Sequence, residues 1–532
     1  MPINIEFDKA EKVLLVVILI LCIPAFFLNL GLLAFNEDEA IRALVAYEML
    51  YNSDYIVPTL NGLPYYYKPP VYNWFIAFTY TITGTVNEFT SRLPTLFFLS
   101  LFSFIIYKTN RIYLSQKMSL LIALCYITCG RVLFWDSFMA LIDIGYSVIS
   151  YLTIFLSYHY YNKEKYIRFF VITALLTAIG YLMKGFSSFI FYGASIGSIL
   201  LFKKDLKRLY KGPGLLIGLS LMASIIGLYY YAYNQSHDFS NTIGPLLDQS
   251  TRRTIGRFGP LRFFKHLITY PFENVYHFFP WVLPGLLLFN TDIRKKVFAN
   301  DYIKYCFILF VANILIYWVS PEVYPRYILM LIPISLTVIF FMINEAVNHS
   351  QKWWLFFRWY FLLIPFIPLL GIIVGFNHPG IHLVPYPYLK LTGLGLSFIV
   401  LIILMFKTRR YLFWYVIISL LLTRIGFNMF VMPERYDGSI VTKSKMAILS
   451  IQEKYDDRPI RLYKKSIMDK TCSFYLATAN GYPNIIEEEI TNEFYYIVDT
   501  LRVDYPSGVV KLDSFILREF DRECYLVKKD QD

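Results

Sequence analysis

Long apolar segments recur along almost the whole chain, and this pattern constrains the fold more than any other feature. The segments are 15 to 23 residues long, close to the roughly 20 mostly apolar residues that a helix needs to cross a bilayer. Hydrophobic residues make up 57% of the 532 residues and charged residues only 17%, so the sequence predicts a polytopic α-helical membrane protein. We count thirteen such segments, at residues 12–34, 92–107, 117–134, 140–160, 166–183, 186–202, 213–233, 275–289, 302–319, 327–343, 355–376, 388–406 and 411–430.

Basic residues fall mainly in short loops that follow the even-numbered segments, such as Lys203, Lys204 and Lys207. An excess of Lys and Arg is typical of cytoplasmic loops. This bias predicts that residues 35–90, residues 234–274 and the C-terminal tail lie on the opposite, external side. The net charge of +12 is therefore a topology signal, and we expect no nucleic-acid partner, because no basic patch is arranged to contact phosphates along a duplex.

A large loop at residues 35–90 carries the most unusual group of polar side chains. Glu37, Asp38 and Glu39 are consecutive, and the residues after them are typical of a helix. The loop closes on three tyrosines followed by Lys68 and two prolines. Acidic groups at the mouth of an apolar helix mark substrate or ion sites, and a general base needs a partly desolvated position. A simple acidic helix start is the alternative interpretation.

Three more charged residues stand out at the predicted external surface. Asp143 lies inside an apolar segment, which is a functional-site signal. Asp136 lies seven residues earlier, on the same side of a helix, and could equally be a helix cap. Lys184 sits in a tight turn on the side opposite the basic loops. We expect it to have an anionic partner, with snorkelling of its long side chain as the alternative.

The loop at residues 234–274 is rich in cations and poor in acids. This composition predicts an anionic ligand such as a lipid phosphate, because guanidinium groups match phosphate oxygens. Contact with anionic headgroups is the plainer alternative. A later turn, SPEVYPRY, adds Arg326 and Tyr327 at the start of a helix. The cations of the loop are Arg252, Arg253, Arg257, Arg262, Lys265 and His266.

The composition changes at about residue 432, where apolar runs shorten and charges of both signs mix. We predict a small soluble α/β domain at residues 432–532, with strands at 459–463, 494–498 and 524–527 and helices at 442–454 and 472–479. The sequence contains neither GxGxxG nor a P-loop pattern there. These absences argue against a primary pump that uses a nucleotide in this domain.

The block NEDEAIRALVAYEMLYNSDYIVPTLNGLPYYYKPP resembles the first external loop of bacterial GT-C glycosyltransferases related to lipid A aminoarabinose transferase and to protein O-mannosyltransferases. The Asp143 segment, the Met183-Lys184-Gly185 turn and the Pro325-Arg326-Tyr327 turn agree in order. The resemblance implies a GT-C membrane domain at residues 1–431 and a periplasmic domain at residues 432–532.

The family implies a pentosyl or hexosyl transferase that moves a sugar from a polyprenyl (undecaprenyl) phosphate carrier to a lipid A, protein or glycan acceptor. The reaction would take place at the outer face of the bacterial inner membrane. No cofactor is expected to be required, although a divalent metal ion is left open and no metal ligands are assigned. Two positions depart from the family. Where the family often has an arginine, this chain has Ile41, and its arginine is the next residue, Arg42. Where the family often has an acid just before the lysine, this chain has Tyr67 before Lys68.

The resemblance implies that Asp38 is the catalytic base or the group that orients the acceptor. It also implies that Lys68 and Lys184 contact the carrier phosphate. A secondary transporter or flippase of a lipid-linked or anionic substrate is the alternative from another class. Such transporters show internal repeats and charges at mid-membrane depth, and we find no clear repeat. The predicted catalytic residues are Asp38 and Asp143, and the predicted substrate or carrier-phosphate ligands are Glu39, Arg42, Tyr67, Lys68, Lys184, Arg253, Arg257, Arg262, Arg326 and Tyr327.

Overall fold

The structure is a computed structural model of a helical bundle with a small mixed domain at its C-terminal end. It describes residues 7–238, 240–251, 255–464, 466, 468–500, 502–517 and 522–530. Within these residues, nine helices are long and apolar enough to cross a bilayer, and a bent pair makes a tenth. The predicted class, a helical membrane protein with a small C-terminal domain, is confirmed.

Twenty-two α-helices are described in chain order. They are α1 (Lys9–Phe27), α2 (Glu37–Asn52), α3 (Val71–Thr83), α4 (Glu88–Asn110), α5 (Gln116–Ile127), α6 (Gly130–Phe134), α7 (Ile142–Asn162), α8 (Tyr166–Lys184), α9 (Ser187–Phe202), α10 (Gly214–Tyr233), α11 (Ser240–Thr251), α12 (Ile255–His277), α13 (Thr291–Ala299), α14 (Asp301–Trp318), α15 (Ile332–His349), α16 (Gln351–Leu363), α17 (Phe366–Gly375), α18 (Pro387–Lys407), α19 (Leu412–Gly426), α20 (Met432–Gly438), α21 (Ile440–Lys454) and α22 (Lys470–Asn480).

The count of thirteen spans is not confirmed by the described residues. The segment at 275–289 is not one helix: α12 ends at His277, and a 3-10 helix follows only at Leu283–Phe289. Pro280 and Pro284 account for the break, since proline lacks the amide proton that a continuing helix needs. The segment at 186–202 forms the 16-residue helix α9. The segment at 140–160 forms α7, which is 21 residues long but carries many serines, threonines and tyrosines.

The first loop folds into a helix, a tight hairpin and a short helix. Helix α2 begins with a capping box in which Asn36 and Glu39 satisfy each other's backbone amides. Strands β1 (Thr59–Leu60) and β2 (Leu63–Pro64) pair antiparallel across Asn61 and Gly62. Both turn residues have positive φ, of 55° and 72°, as an Asn-Gly hairpin turn requires.

The start of α2 is fixed from the membrane side by a buried ion pair. Arg92 in α4 donates from Nε and Nη2 to the two carboxylate oxygens of Glu39, at 3.0 and 3.2 Å. Its Nη1 donates to the carbonyl of Leu30 at 2.8 Å. The amide of Ala140 also donates to Glu39, at 2.8 Å. Glu39 therefore joins three segments of the bundle, and both charged side chains are almost fully buried.

The last span runs directly into the C-terminal domain. Helix α19 is followed by a π-helical turn at Phe427–Val431 and then by α20, so one helical run covers Arg409–Gly438. The predicted boundary between residues 431 and 432 lies inside this run and stays a prediction. Only Ser439 separates α20 from α21.

The C-terminal domain contains a mixed five-stranded sheet. Its strands are β3 (Ile460–Tyr463), β4 (Ile486–Glu487), β5 (Tyr495–Asp499), β6 (Val509–Leu517) and β7 (Arg522–Lys529), in the order β4-β3-β5-β7-β6. Strands β4 and β5 pair parallel with β3, while β7 pairs antiparallel with β5 and β6. The three strands and two helices predicted here are confirmed, with α21 and α22 slightly longer than predicted.

Helix α22 packs against α2, so the domain and the first loop share one apolar core. Phe35, Ala40 and Ala43 from the loop side join Ile448 and Phe474 from the domain side, and all five are buried. The small side chains on α2 allow close approach of the two helices. The C-terminal domain is thus packed against the loop that carries Asp38.

Replacing Arg92 by Met should lower the free energy of unfolding by about 3–5 kcal/mol, because Glu39 would keep a buried charge without its partner. The change can be measured by SDS titration of the purified protein in mixed micelles. Lys203→Ala is the control, because its partner Asp301 is largely exposed, at 3.5 Å, and such pairs contribute less than about 1 kcal/mol. Equal losses in the two variants would contradict the prediction.

Candidate active site

Arg326 joins two carboxylates that come from distant parts of the chain. Its Nη2 donates to Oδ2 of Asp38 at 2.6 Å, and its Nε lies 3.5 Å from Oδ2 of Asp143. Lys184 donates to the other oxygen of Asp143 at 2.6 Å. The cluster of Asp38, Asp143, Lys184 and Arg326 is called the charge cluster below. The anionic partner predicted for Lys184 is Asp143.

Each member of the charge cluster sits at the end of a helix or in a short turn. Asp38 and Asp143 lie in the first turns of α2 and α7, and Lys184 is the last residue of α8. Acids at a helix start and a base at a helix end are favoured by the helix dipole. Arg326 lies in the 3-10 turn Pro325–Ile328, where Pro325 sets the backbone. The cluster therefore forms where four chain segments meet.

The two carboxylates differ in exposure. The Asp38 side chain is 57% exposed, whereas that of Asp143 is 9% exposed. Burial alone would lower the pKa of the Arg326 guanidinium, but Asp143, Tyr327 and Asp38 raise it above its ordinary value. Arg326 thus stays charged over the working pH range. Asp38 is the carboxylate of the cluster that a second molecule can reach.

Aromatic rings surround the two cations. The Lys184 ammonium lies 4.8 Å from the Tyr146 ring and 4.6 Å from the Tyr327 ring. The Arg326 guanidinium lies 4.6 Å from the Tyr324 ring. Cation–π contacts of this kind hold a cation in place without removing its charge, so the rings add to the carboxylates in fixing the positions of Lys184 and Arg326.

The end of the first loop supplies a second, adjacent group. Arg42 in α2 donates to the Tyr65 hydroxyl at 2.5 Å, and burial raises the pKa of that hydroxyl. The Tyr65 ring lies 5.8 Å from the ring of Tyr67, which is exposed. Lys68 is partly buried and acts electrostatically on Asp143. The structure thus brings Arg42, Tyr67 and Lys68 to the same region as the charge cluster.

Other predicted residues are placed differently. Glu39 is tied to Arg92 in the buried pair described above, so its carboxylate supports the loop. Arg262 is exposed on α12, one turn before His266, which bonds to the Tyr317 carbonyl at 3.3 Å. Arg253 lies outside the described residues, and only the backbone of Arg257 is described, within α12. Phosphate binding by Arg253, Arg257 and Arg262 stays a prediction, and so does substrate binding by Glu39.

Sequence reasoning missed one aromatic partner of the cations. Tyr146 was not singled out, because tyrosine is frequent everywhere in this chain, with 45 copies, whereas Tyr324 and Tyr327 were noted beside Arg326. Tyr146 follows Asp143 by three residues, a helical spacing that could have indicated it. Asp136 forms a buried pair with Arg131 at 3.1 Å, and neither the capping nor the catalytic interpretation predicted that partner.

An apolar cleft of about 260 Å³ lies among the helices that follow the long basic loop. Its walls come from α12, α14 and α15 and from the 3-10 helix Leu283–Phe289. The lining is almost entirely hydrocarbon, including Phe278, Phe310, Trp318 and Met342. Ile328, which also lines the cleft, follows Arg326 by two residues.

Parts of the sequence are similar to known glycosyltransferases. The model of dolichyl-phosphate-mannose-protein mannosyltransferases matches residues 67–230, which include Lys68, Asp143 and Lys184. The undecaprenyl phosphate-alpha-4-amino-4-deoxy-L-arabinose arabinosyl transferase of Yersinia enterocolitica is 26% identical over 196 residues. That alignment covers 36% of this chain and 35% of the relative, so the match spans about a third of the relative's length.

Two solved structures match over almost the full chain. ArnT from Cupriavidus metallidurans bound to undecaprenyl phosphate superposes with a TM-score of 0.69 at 16% identity, and its apo state with 0.66 at 15%. Each match covers 98% of both chains. The chain has the GT-C fold of ArnT. The resemblance predicted from the first loop is thereby confirmed, and the nine or ten apolar helices among the described residues agree with a multi-pass membrane protein.

The described residues of this ArnT-like chain contain no group of three or more His, Cys, Asp or Glu side chains placed to hold a metal ion. The expectation that no cofactor is required stays a prediction.

The pair of Lys184 and Asp143 should show strong coupling in a double-mutant cycle. Lys184→Met, Asp143→Asn and their combination should give an interaction energy of about 1–3 kcal/mol in the free energy of unfolding, because both side chains are largely buried. The control cycle uses Lys454 and Asp513, which pair at 2.7 Å but are far more exposed. A coupling no larger than that of the control would contradict the buried geometry.

Proposed function

We propose that this protein is a membrane glycosyltransferase that moves a sugar from a polyprenyl-phosphate carrier to an acceptor. The observation that carries the proposal is the charge cluster, which combines an exposed carboxylate with two cations. The apolar cleft that Ile328 lines, two residues after Arg326, offers a place for part of a hydrocarbon chain. The ArnT structure of the same fold is bound to undecaprenyl phosphate, which supports a carrier of this chemical class.

In the proposed reaction, an acceptor hydroxyl attacks the anomeric carbon of the carrier-linked sugar. A bond forms between the acceptor oxygen and this carbon, while the bond from the carbon to the phosphate oxygen breaks and its electron pair leaves with the polyprenyl phosphate. Asp38 takes the acceptor proton, since it is the exposed carboxylate. The proton is the only other species that moves.

The cations have the complementary task. Lys68, Lys184 and Arg326 offset the charge that grows on the departing phosphate, as fixed cations do at developing anions. Asp143 holds Lys184 and Arg326 in place through its two oxygens. Arg42 and Tyr67 border the same space, and Arg253, Arg257 and Arg262 of the long basic loop would complete the phosphate clamp. Tyr327 packs on the Lys184 ammonium and so fixes its direction.

The charge bias of the loops supports an orientation with this site on the periplasmic face of the bacterial inner membrane. The C-terminal domain packs against the loop that carries Asp38, and we therefore assign it to the same face. The acceptor in this proposal is lipid A, a protein or another glycan, and the transferred sugar is a pentose or a hexose.

The first test measures free polyprenyl phosphate released from undecaprenyl-phosphate-linked mannose, glucose or aminoarabinose in the presence of bacterial membrane lipids. Asp38→Asn should lower kcat by about 10²-fold or more, because the general base is lost. Lys68→Ala should raise the donor KM about tenfold or more, because a charge-assisted hydrogen bond to the phosphate is lost.

Glu37→Gln is the matched control for Asp38→Asn, because it removes a carboxylate in the same helical turn, one residue away. It should retain most of the wild-type activity. Full activity of Asp38→Asn would remove the catalytic assignment. Absence of phosphate release with every donor would remove the transferase itself, and transbilayer movement of a fluorescent polyprenyl-phosphate sugar in vesicles would then test the transporter alternative.

A further inference from the structure

The C-terminal domain holds the first loop at its beginning. The amide of Phe35 donates to the Tyr475 hydroxyl at 3.1 Å, and the Thr471 hydroxyl donates to the Phe35 carbonyl at 3.2 Å. All of these groups are buried. Phe35 comes directly before the cap residue Asn36 and three residues before Asp38. Helix α22 therefore fixes the point from which α2 starts.

The domain also holds the hairpin of the loop. Asn484 donates from Nδ2 to Oδ1 of Asn61 at 2.9 Å and to the carbonyl of Ser473 at 2.8 Å. A Cβ on Gly62 would lie 3.3 Å from the carbonyl oxygen of Asn484, so the two backbones meet closely at this glycine. Asn484 thus connects the first turn of α22 to the turn of the hairpin.

A buried carboxylate completes the hold on the hairpin from the loop side. Glu48 in α2 accepts from the amides of Asn61 and Gly62 at 2.7 and 3.2 Å. It is fully buried, and this burial raises its pKa. The turn is therefore clasped between α2 and the C-terminal domain.

The far end of the loop is held as well. The Tyr475 hydroxyl donates to Oε1 of Glu88 at 2.6 Å, and Lys445 in α21 pairs with the same oxygen at 2.5 Å. Glu88 is the first residue of α4, the helix that carries Arg92. Tyr475 therefore connects both ends of the loop through one hydroxyl group.

These contacts lead directly to the charge cluster. From the hairpin, the Tyr65 amide bonds back to the Pro58 carbonyl at 2.7 Å, and the Tyr65 hydroxyl accepts from Arg42. Lys68 follows three residues later. The hairpin turn thus fixes the start of the segment that carries Lys68, while the contact at Phe35 fixes the start of the helix that carries Asp38. Two separate contacts with the domain govern two separate groups of the site.

We propose that the C-terminal domain is a positioning element of the active site, in which Tyr475 places Asp38 and Asn484 places Lys68. This proposal rests on the transferase function proposed above. Neither residue reaches the reacting atoms, so each acts through the loop. The domain has this task in addition to any contact with acceptors.

The expected kinetics separate the two contacts. Tyr475→Phe keeps the ring but removes the hydroxyl, so kcat should fall about tenfold while the donor KM changes little, since small displacements of a catalytic group are costly. Asn61→Gly keeps the positive φ but removes the acceptor oxygen. In that variant and in Asn484→Ala, the donor KM should rise about fivefold or more with kcat nearly unchanged, since one buried hydrogen bond is lost.

Three further variants make the test specific. Asn61→Asp retains the acceptor oxygen and should keep the wild-type KM. The double variant Asn61→Gly with Asn484→Ala should be no worse than Asn484→Ala alone, because Asn484→Ala already removes the bond that Asn61→Gly removes. Asn480→Ala is the matched control, since Asn480 donates to the Ile460 carbonyl inside the domain at 3.3 Å. It should leave kcat and KM unchanged.

Hydrogen–deuterium exchange of the full chain in detergent gives a readout that does not depend on transferase activity. Exchange in residues 55–68 should rise in Asn61→Gly and Asn484→Ala, but not in Asn61→Asp or Asn480→Ala. Unchanged exchange in that segment would overturn the proposal. Equal KM values for Asn61→Gly and Asn61→Asp, or a uniform loss of kcat in all variants, would also overturn it. If wild-type protein releases no polyprenyl phosphate, the transferase function fails, and the exchange result alone decides whether the domain holds the loop.

Discussion

A guanidinium between two carboxylates is the interaction on which the arrangement of this site depends. Arg326 reaches Asp38 and Asp143 only if the start of α2, the start of α7 and the turn before α15 converge. Lys184 adds the end of α8 to the same point. None of these segments is near another in sequence, so the helical bundle brings three helix ends and one turn together at this point. A substitution anywhere that shifts one of these ends changes the charge balance at Asp38.

The membrane restricts how such ends can be stabilised, because a buried charge or carbonyl in an apolar surrounding has a large desolvation cost. In this chain, buried arginines each donate hydrogen bonds to several such acceptors. Arg92 satisfies Glu39 and the Leu30 carbonyl, and Arg424 donates to the carbonyls of Ala25 and Leu133, at 3.1 and 2.5 Å. Both side chains are almost fully buried. These links join the end of α1 to the rest of the bundle and so fix the loop that follows it.

Much of this organisation could be predicted from the sequence. The length of the apolar segments and the charge of the loops indicated a membrane protein. Lys184 lies on the side opposite the basic loops, and this position correctly indicated an anionic partner. The C-terminal strands were visible because their β-branched and aromatic residues alternate with turn residues. The break in segment 275–289 was not predictable, because prolines also lie inside the helices α1 and α4, so Pro280 and Pro284 did not by themselves show that this segment is not one span. In the sequence, Glu39 could not be distinguished from Asp38, because both are carboxylates in the same acidic run. Only the three-dimensional packing shows that one faces Arg92 in the interior while the other faces outward, and the packing of α22 on α2 is equally invisible in a local pattern.

The uninterrupted helical run at Arg409–Gly438 has a mechanical consequence for the molecule. A span adjusts to the thickness of the hydrocarbon core by tilting, and here the tilting span continues into α20 and, after one residue, into α21. The C-terminal domain is therefore joined to the last span through a helical connection with one intervening residue. Because the same domain holds Phe35 and Asn61, the tilt of the last span and the position of the first loop are mechanically coupled through it.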